Sequence, residues 1–290
     1  SPAERPVRFD GDRLEGLGNP FALVGNKYGW MVEVDPRRPE RVAVKHTALG
    51  RFRHEAVAVR ARAGEPLVVY SGCDRHGGHL YRFVSADPVR DSRDPANSRL
   101  LERGRLEVAR FLPDGNGRWI PLQPGTPVEP LSPEHFAGHG LEAVMTVPHS
   151  DRGKAGSELL RSDTELQAYR QRFRTLADLY PGSGVEQLGA ILFDAHLAAN
   201  AVGATPAARP EDTGLDPRTG DLLITFTAGG SDGEGQADPA IFRGPAGQSR
   251  WPFGWVMRLQ DDPAAQGRPG GGFRWRMVAT GGTPWEGGMG

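Results

Sequence analysis

The most suggestive short run in the chain is ARPED at 208–212, in which Arg209 and Glu211 stand two residues apart. On an extended segment that spacing projects both side chains to one side, and Pro210 between them stiffens the pair. A guanidinium beside a carboxylate suits metal-assisted phosphoryl chemistry. The carboxylate holds a cation, while the arginine grips two phosphate oxygens and offsets transition-state charge. The same two residues would also make a plain intrachain ion pair.

Other polar groups offer different chemistry. Glu55, in the His54-Glu55 pair that opens a strand after ALGRFR, is either a site carboxylate or a partner for Arg51 or Arg53. SGCDRHGGH at 71–79 crowds Cys73, Asp74, His76 and His79 into one turn. Sulfur and imidazole there suit a transition metal, and Asp74 alone suits calcium, a hard cation that prefers oxygen. A turn that merely favours Gly and Asp has the same composition. His135, His139 and His149 fall in a Pro- and Gly-rich stretch with no carboxylate at matching spacing. Walker, dinucleotide-binding and H-E-x-x-H motifs are absent from the sequence.

Short strands must position these residues. From Tyr28 to Leu122 the pattern is period-two or continuous apolar runs, at 29–36, 41–49, 55–61, 66–72, 79–86, 105–112 and 118–122. The connections carry Gly, Pro and Asn where tight turns need them. Residues 123–156 read as an irregular insertion. A helical insertion follows around 157–202, opened by the Ser162–Glu165 capping-box spacing with Leu166, Tyr169, Phe173 and Leu176 on one face. A second helix carries Val185, Leu188, Leu192 and Ala195 as far as Gly203. Strands return across the DPRTGD turn at 216–221 and at 254–262 and 273–281. The reading is all-β, one propeller-like domain over 1–290 with these insertions.

Composition narrows the function classes. The net charge of −1 gives no field for steering nucleic acid. Only Lys27, Lys45 and Lys154 of the 35 basic residues are lysines. The arginines are scattered among acids and form no basic face, so no nucleic-acid partner is expected. One cysteine, Cys73, excludes an internal disulfide and a multi-cysteine zinc site. No apolar run is long enough to span a membrane.

In order and spacing, NKYGWMVEVDP (26–36), KHTALGRFRHEAVAV (45–59), VVYSGCDRHGGHLYRFVS (68–85), LLERGRLEVARFLPDGNGRWIPL (100–122) and GATPAARPEDTGLDPRTGDLLITFT (203–227) resemble the PhoX alkaline phosphatase family. The resemblance implies a β-propeller, open or incomplete here, and a phosphate monoesterase site holding calcium and iron. It implies Arg209 as the phosphate-binding arginine, and Glu55, Glu211 and Asp74 as metal-ligating carboxylates. It also implies a small phosphorylated substrate, a monomer, and a periplasmic or extracellular location. The family's upstream segment with a cysteine and acids has no counterpart in this sequence, and Trp255 and Ala228-Gly229 replace family-typical His and Asn residues. The iron site and closure of the propeller are therefore expected to suffer. Two alternatives follow: an impaired propeller that only binds calcium or a phosphorylated ligand, and a calcium-dependent lactonase-like hydrolase, which the Arg209–Glu211 pair disfavours.

Overall fold

The computed structural model describes residues 9–10, 13–14, 27–151, 153–154, 156–262 and 271–288. Nine strands form one antiparallel sheet. In spatial order they are Pro210–Leu215, Leu222–Phe226, Trp255–Asp261, Gly272–Thr280, Asn116–Pro121, Gly104–Phe111, Leu80–Pro88, Pro66–Cys73 and His54–Arg60. Neighbouring strands are mostly consecutive in sequence, as short turns require. The turn at 216–221 joins the first two, with Leu215 paired to Leu222.

Strand alternation sorts the apolar residues into two cores. One contains Ala58, Val68, Tyr70, Leu80, Val84, Ala109, Phe111, Trp119, Ile224, Phe226, Met257 and Phe273, with Leu215 against it. All nine strands contribute to that single cluster, so the sheet curls around it. The other face of the central strands supplies Val69, Tyr81, Phe83, Leu106, Val108 and Ile120, and the helical insertion covers them with Leu166, Tyr169, Leu176, Leu179 and Ile191.

The two edge strands, 54–60 and 210–215, pack against each other without a hydrogen-bonded ladder. The open, propeller-like expectation takes this form: one nearly closed curl with a seam. Close approach at the seam depends on Gly72, where a Cβ would stand 2.3 Å from the Pro210 carbonyl oxygen.

Inside the curl lies a buried ionic cluster. Arg82 is 2% exposed; it bonds Glu107 through Nε at 2.9 Å and Nη2 at 2.5 Å, and reaches Asp261 at 3.1 Å. Asp261 also accepts from Trp119 Nε1 at 2.8 Å and from the Tyr70 hydroxyl, and Arg60 approaches it at 3.4 Å. Arg105 completes Glu107 at 2.8 Å. Burial beside Asp261 holds the Tyr70 phenol protonated, its pKa raised.

The helices depart in detail from the sequence reading. Asp163–Arg172 is capped as expected: Ser162 Oγ accepts from Glu165 N at 3.3 Å. Leu176, however, opens a separate turn at Leu176–Leu179. The next helix breaks at Asp194 into Gly184–Phe193 and Ala195–Ala201, and Val185 faces solvent instead of the core. The 123–156 stretch is more ordered than its Pro and Gly content suggests. It holds the Pro133–Ala137 turn of helix and the strand Met145–Pro148, which pairs with Ser157–Leu160. Phe136 and Val147 from this stretch enter the helix-side core, and that burial is what orders it.

Candidate site at the sheet seam

Of the sequence-predicted residues, Asp74, Arg209 and Glu211 meet where the sheet closes, Glu55 lies on the adjoining edge strand, and local backbone irregularities put them there. His54 pairs with Cys73 but Val57 pairs with Ser71, so one extra residue sits in a bulge at Glu55–Ala56, opposite Gly72. On the other edge Pro210 pairs with Phe226 and Asp212 with Thr225, which leaves Glu211 as the bulged residue. A bulge re-aims a side chain out of the regular alternation and is common beside active sites.

Arg209 precedes that second bulge. Its φ of +57° is the sole positive value at a non-glycine among the described residues. A left-handed residue with a Cβ is strained, and one before proline more so, because proline disfavours anything but extended backbone there. The extended geometry read from the sequence is thus corrected. Arg209 and Glu211 converge through a turn-like arginine followed by a bulge, not through simple alternation.

The guanidinium lies between two carboxylates. Its Nε donates to Asp74 Oδ1 at 3.0 Å, and its Nη2 stands 2.9 Å from the same oxygen and 2.8 Å from Glu211 Oε1. Thr227 Oγ1 donates to Glu211 Oε1 at 2.9 Å. Nη1 makes no hydrogen bond to the protein among the described residues. Arg209, Asp74 and Glu211 are each about one-third exposed, so the cluster is open to a small solute. Asp74 is fixed from below by its own N–H, which donates to the Arg53 carbonyl at 3.0 Å. Glu55 shares this end of the seam but stays exposed and makes no ion pair among the described residues.

The histidines of the 71–79 turn do not converge on a metal. His76 Nδ1 stands 2.5 Å from Asp232, and His79 is buried against the Thr205 carbonyl at 3.0 Å and Asn200 Oδ1 at 2.9 Å. Burial pushes the His79 imidazole down to about 4. His54 is likewise pushed down to about 4 by burial, its ring tilted against Phe52 and bonded to Ser71 Oγ and the Gly50 carbonyl. Cys73 is buried and its thiol is pushed up to about 11, so it is no thiolate at neutral pH. His135 bonds Asp238 at 2.8 Å, and the remaining loop histidines make their own local contacts.

Among the described residues no three His, Cys, Asp or Glu side chains lie close enough together to hold a metal ion. The carboxylates of Asp74, Glu211 and Glu55 fit a hard, oxygen-preferring cation in type. Arg209 takes the space between two of them. The described residues do not fit an iron centre: the thiol stays protonated and the nearby imidazoles are committed elsewhere.

A search of curated proteins finds no match. Among solved structures the chain is similar to Pseudomonas fluorescens PhoX in complex with vanadate, a transition state analogue. The TM-score is 0.59 at 28% identity, covering 90% of this chain and 37% of that one. The chain thus spans little more than a third of the length of that relative. The family profile described as alkaline phosphatase PhoX matches residues 6–287, and on that match the chain belongs to the PhoX family.

Proposed function

We propose that the seam cluster binds the phosphate group of a small phosphate monoester and supports its hydrolysis, with Arg209 as the phosphate-gripping group. One observation carries this reading. Two bulges, a strained pre-proline arginine and an obligatory close approach at Gly72 all coincide at the spot where Arg209 meets Asp74 and Glu211, with Glu55 in the bulge of the facing edge strand. Sequence and fold normally agree on local geometry, and clustered departures mark sites kept for function. Arg209 is held by Asp74 and Glu211 with Nη1 still open, so it offers a fixed donor edge to a phosphate oxygen. The solved relative's complex with vanadate, a transition state analogue, supports the phosphate-ester reading.

Calcium is the cation that Asp74, Glu211 and Glu55 would hold, and when bound it neutralises phosphoryl-oxygen charge. The rest belongs to the chain's own groups. Asp74 orients the guanidinium, Thr227 orients Glu211, and the buried wall behind Gly72 keeps the strands in contact. A binding-only protein is the second reading, favoured by the lack of three gathered ligands and by Arg209 occupying the space between two of them.

The test is hydrolysis of p-nitrophenyl phosphate with and without added calcium, beside equilibrium binding of vanadate. Wild type is expected to bind vanadate and to turn over in calcium, and Arg209→Ala to lose both. Vanadate binding without turnover selects the binding-only reading. No binding by wild type, or binding that survives Arg209→Ala, refutes the assignment.

A further inference from the structure

A cavity of about 280 Å³ lies next to the seam cluster, and neither carboxylate nor guanidinium of that cluster lines it. Its walls come from the 145–159 ribbon, the 195–201 helix, Pro206, Gly77 and the small ribbon at 231–236. Two stretches of chain tie it to the cluster: Gly77 is three residues from Asp74, and Pro206 three from Arg209. At roughly 3.3–3.6 Å per residue, each link spans at most about 11 Å. The 231–236 ribbon is clamped to the same region, with Glu234 bonding Arg53 at 2.7 and 2.6 Å and its carbonyl accepting from Arg75 at 2.5 Å.

The lining specifies a neutral, hydrogen-bonding ligand. Its charged groups are already paired: Glu142 with Arg161 at 2.8 Å, Asp232 with His76 and Glu234 with Arg53. No uncompensated charge therefore recruits an ion. His196 lines the cavity, and its Nδ1 is buried with no partner, an orphaned polar atom that ordinarily demands a bond. Asn200, one turn further along the same helix, also lines it, and opposite them stand Phe136, Met145 and Leu159. A polar edge facing an apolar wall matches the hydroxyl and C–H faces of a polyol or sugar. The volume sits near the lower end of the roughly 300–1,000 Å³ typical of small-molecule sites, enough for such a group and too small for a nucleotide.

We propose that this cavity receives the alcohol portion of the phosphate monoester, a polyol or sugar in class, with His196 as a specificity-determining residue. The proposal rests on the reading of the seam as a phosphate site. Its test compares kcat/KM for glycerol 2-phosphate and p-nitrophenyl phosphate in calcium, for wild type, His196→Leu and Leu159→Trp. Losing one hydrogen bond to a neutral group lowers the rate constant about tenfold. His196→Leu is expected to show that drop for glycerol 2-phosphate and to stay within twofold for the aryl ester. Leu159→Trp, which narrows the cavity from an exposed position, is expected to shift the ratio the same way without touching the interior.

Equal losses on both esters, or none on either, overturn the proposal while leaving the phosphate reading intact. If wild type hydrolyses neither ester, the phosphatase reading fails and the cavity is judged on sorbitol binding by NMR titration. Shifts in wild type that disappear in His196→Leu support the cavity. Absent shifts, or shifts unchanged in the variant, overturn it.

Discussion

Replacing Arg209 separates backbone strain from side-chain chemistry. A left-handed residue bearing a Cβ costs about 1–2 kcal/mol, and the native φ of +57° places Arg209 in that region ahead of Pro210. Glycine removes this strain but loses about 0.5–1 kcal/mol through the freedom it has when unfolded. Alanine keeps the strain. Both substitutions remove the same ion pairs, which involve one-third-exposed groups and contribute at most about 1 kcal/mol. Arg209→Gly is therefore expected to be more stable than Arg209→Ala, by up to about 1.5 kcal/mol. Arg209→Asn should fall between them, because asparagine tolerates the left-handed region. Urea denaturation monitored by tryptophan fluorescence measures the difference, and all three variants are expected to lose vanadate binding. If alanine exceeds glycine in stability, the left-handed backbone at Arg209 is not strained and the irregularity there does not mark a functional site.

Two further expectations concern stability away from the seam. His54 and His79 each titrate near 4 when folded against about 6.5 when unfolded, so between these values the unfolded chain binds more protons and stability falls with falling pH. Each histidine is expected to remove about 1.5 kcal/mol between pH 6.5 and pH 5, and urea midpoints that hold or rise over that interval would contradict it. In the ionic cluster, Asp261→Ala leaves Arg82 and Arg60 buried with less compensation and is expected to cost about 3–5 kcal/mol, read from the same urea curves. A loss below about 1 kcal/mol would show that water or rearrangement satisfies the arginines.

Most of the strands could be read from the sequence because their cause is local. Val68, Val69 and Tyr70 belong to a continuous apolar run that feeds both cores, and Leu222, Ile224 and Phe226 recur at period two on one face. The Ser162 cap was legible for the same reason, since its partners lie three residues apart. Arg209 and Glu211 stood out by type and spacing. Their actual geometry did not, because the bulge at Glu211 and the left-handed Arg209 follow from how the two edges of the sheet meet, a non-local event. Arg82 and Glu107 read as two more charges in an arginine-rich chain. Only the curl of the sheet turns them inward, and nothing within a few residues of either records it. Phe136 and Val147 were hidden by Pro- and Gly-rich neighbours, although both end in the core.

The seam also has a kinetic consequence. The strands form two locally connected sets, 54–121 and 210–280; the ladder of strand 116–121 with strand 272–280 and the meeting of strand 54–60 with strand 210–215 both join segments roughly 150 residues apart, an entropic cost that comes late in assembly, and the seam is the joint that has no ladder. Without a hydrogen-bonded ladder, that closure rests on side-chain packing around Gly72 and on Arg209 reaching across to Asp74. A chain with every strand formed would still lack the phosphate grip until this last joint shut. Ligand binding would then report on the completion of folding as much as on the chemistry of four side chains.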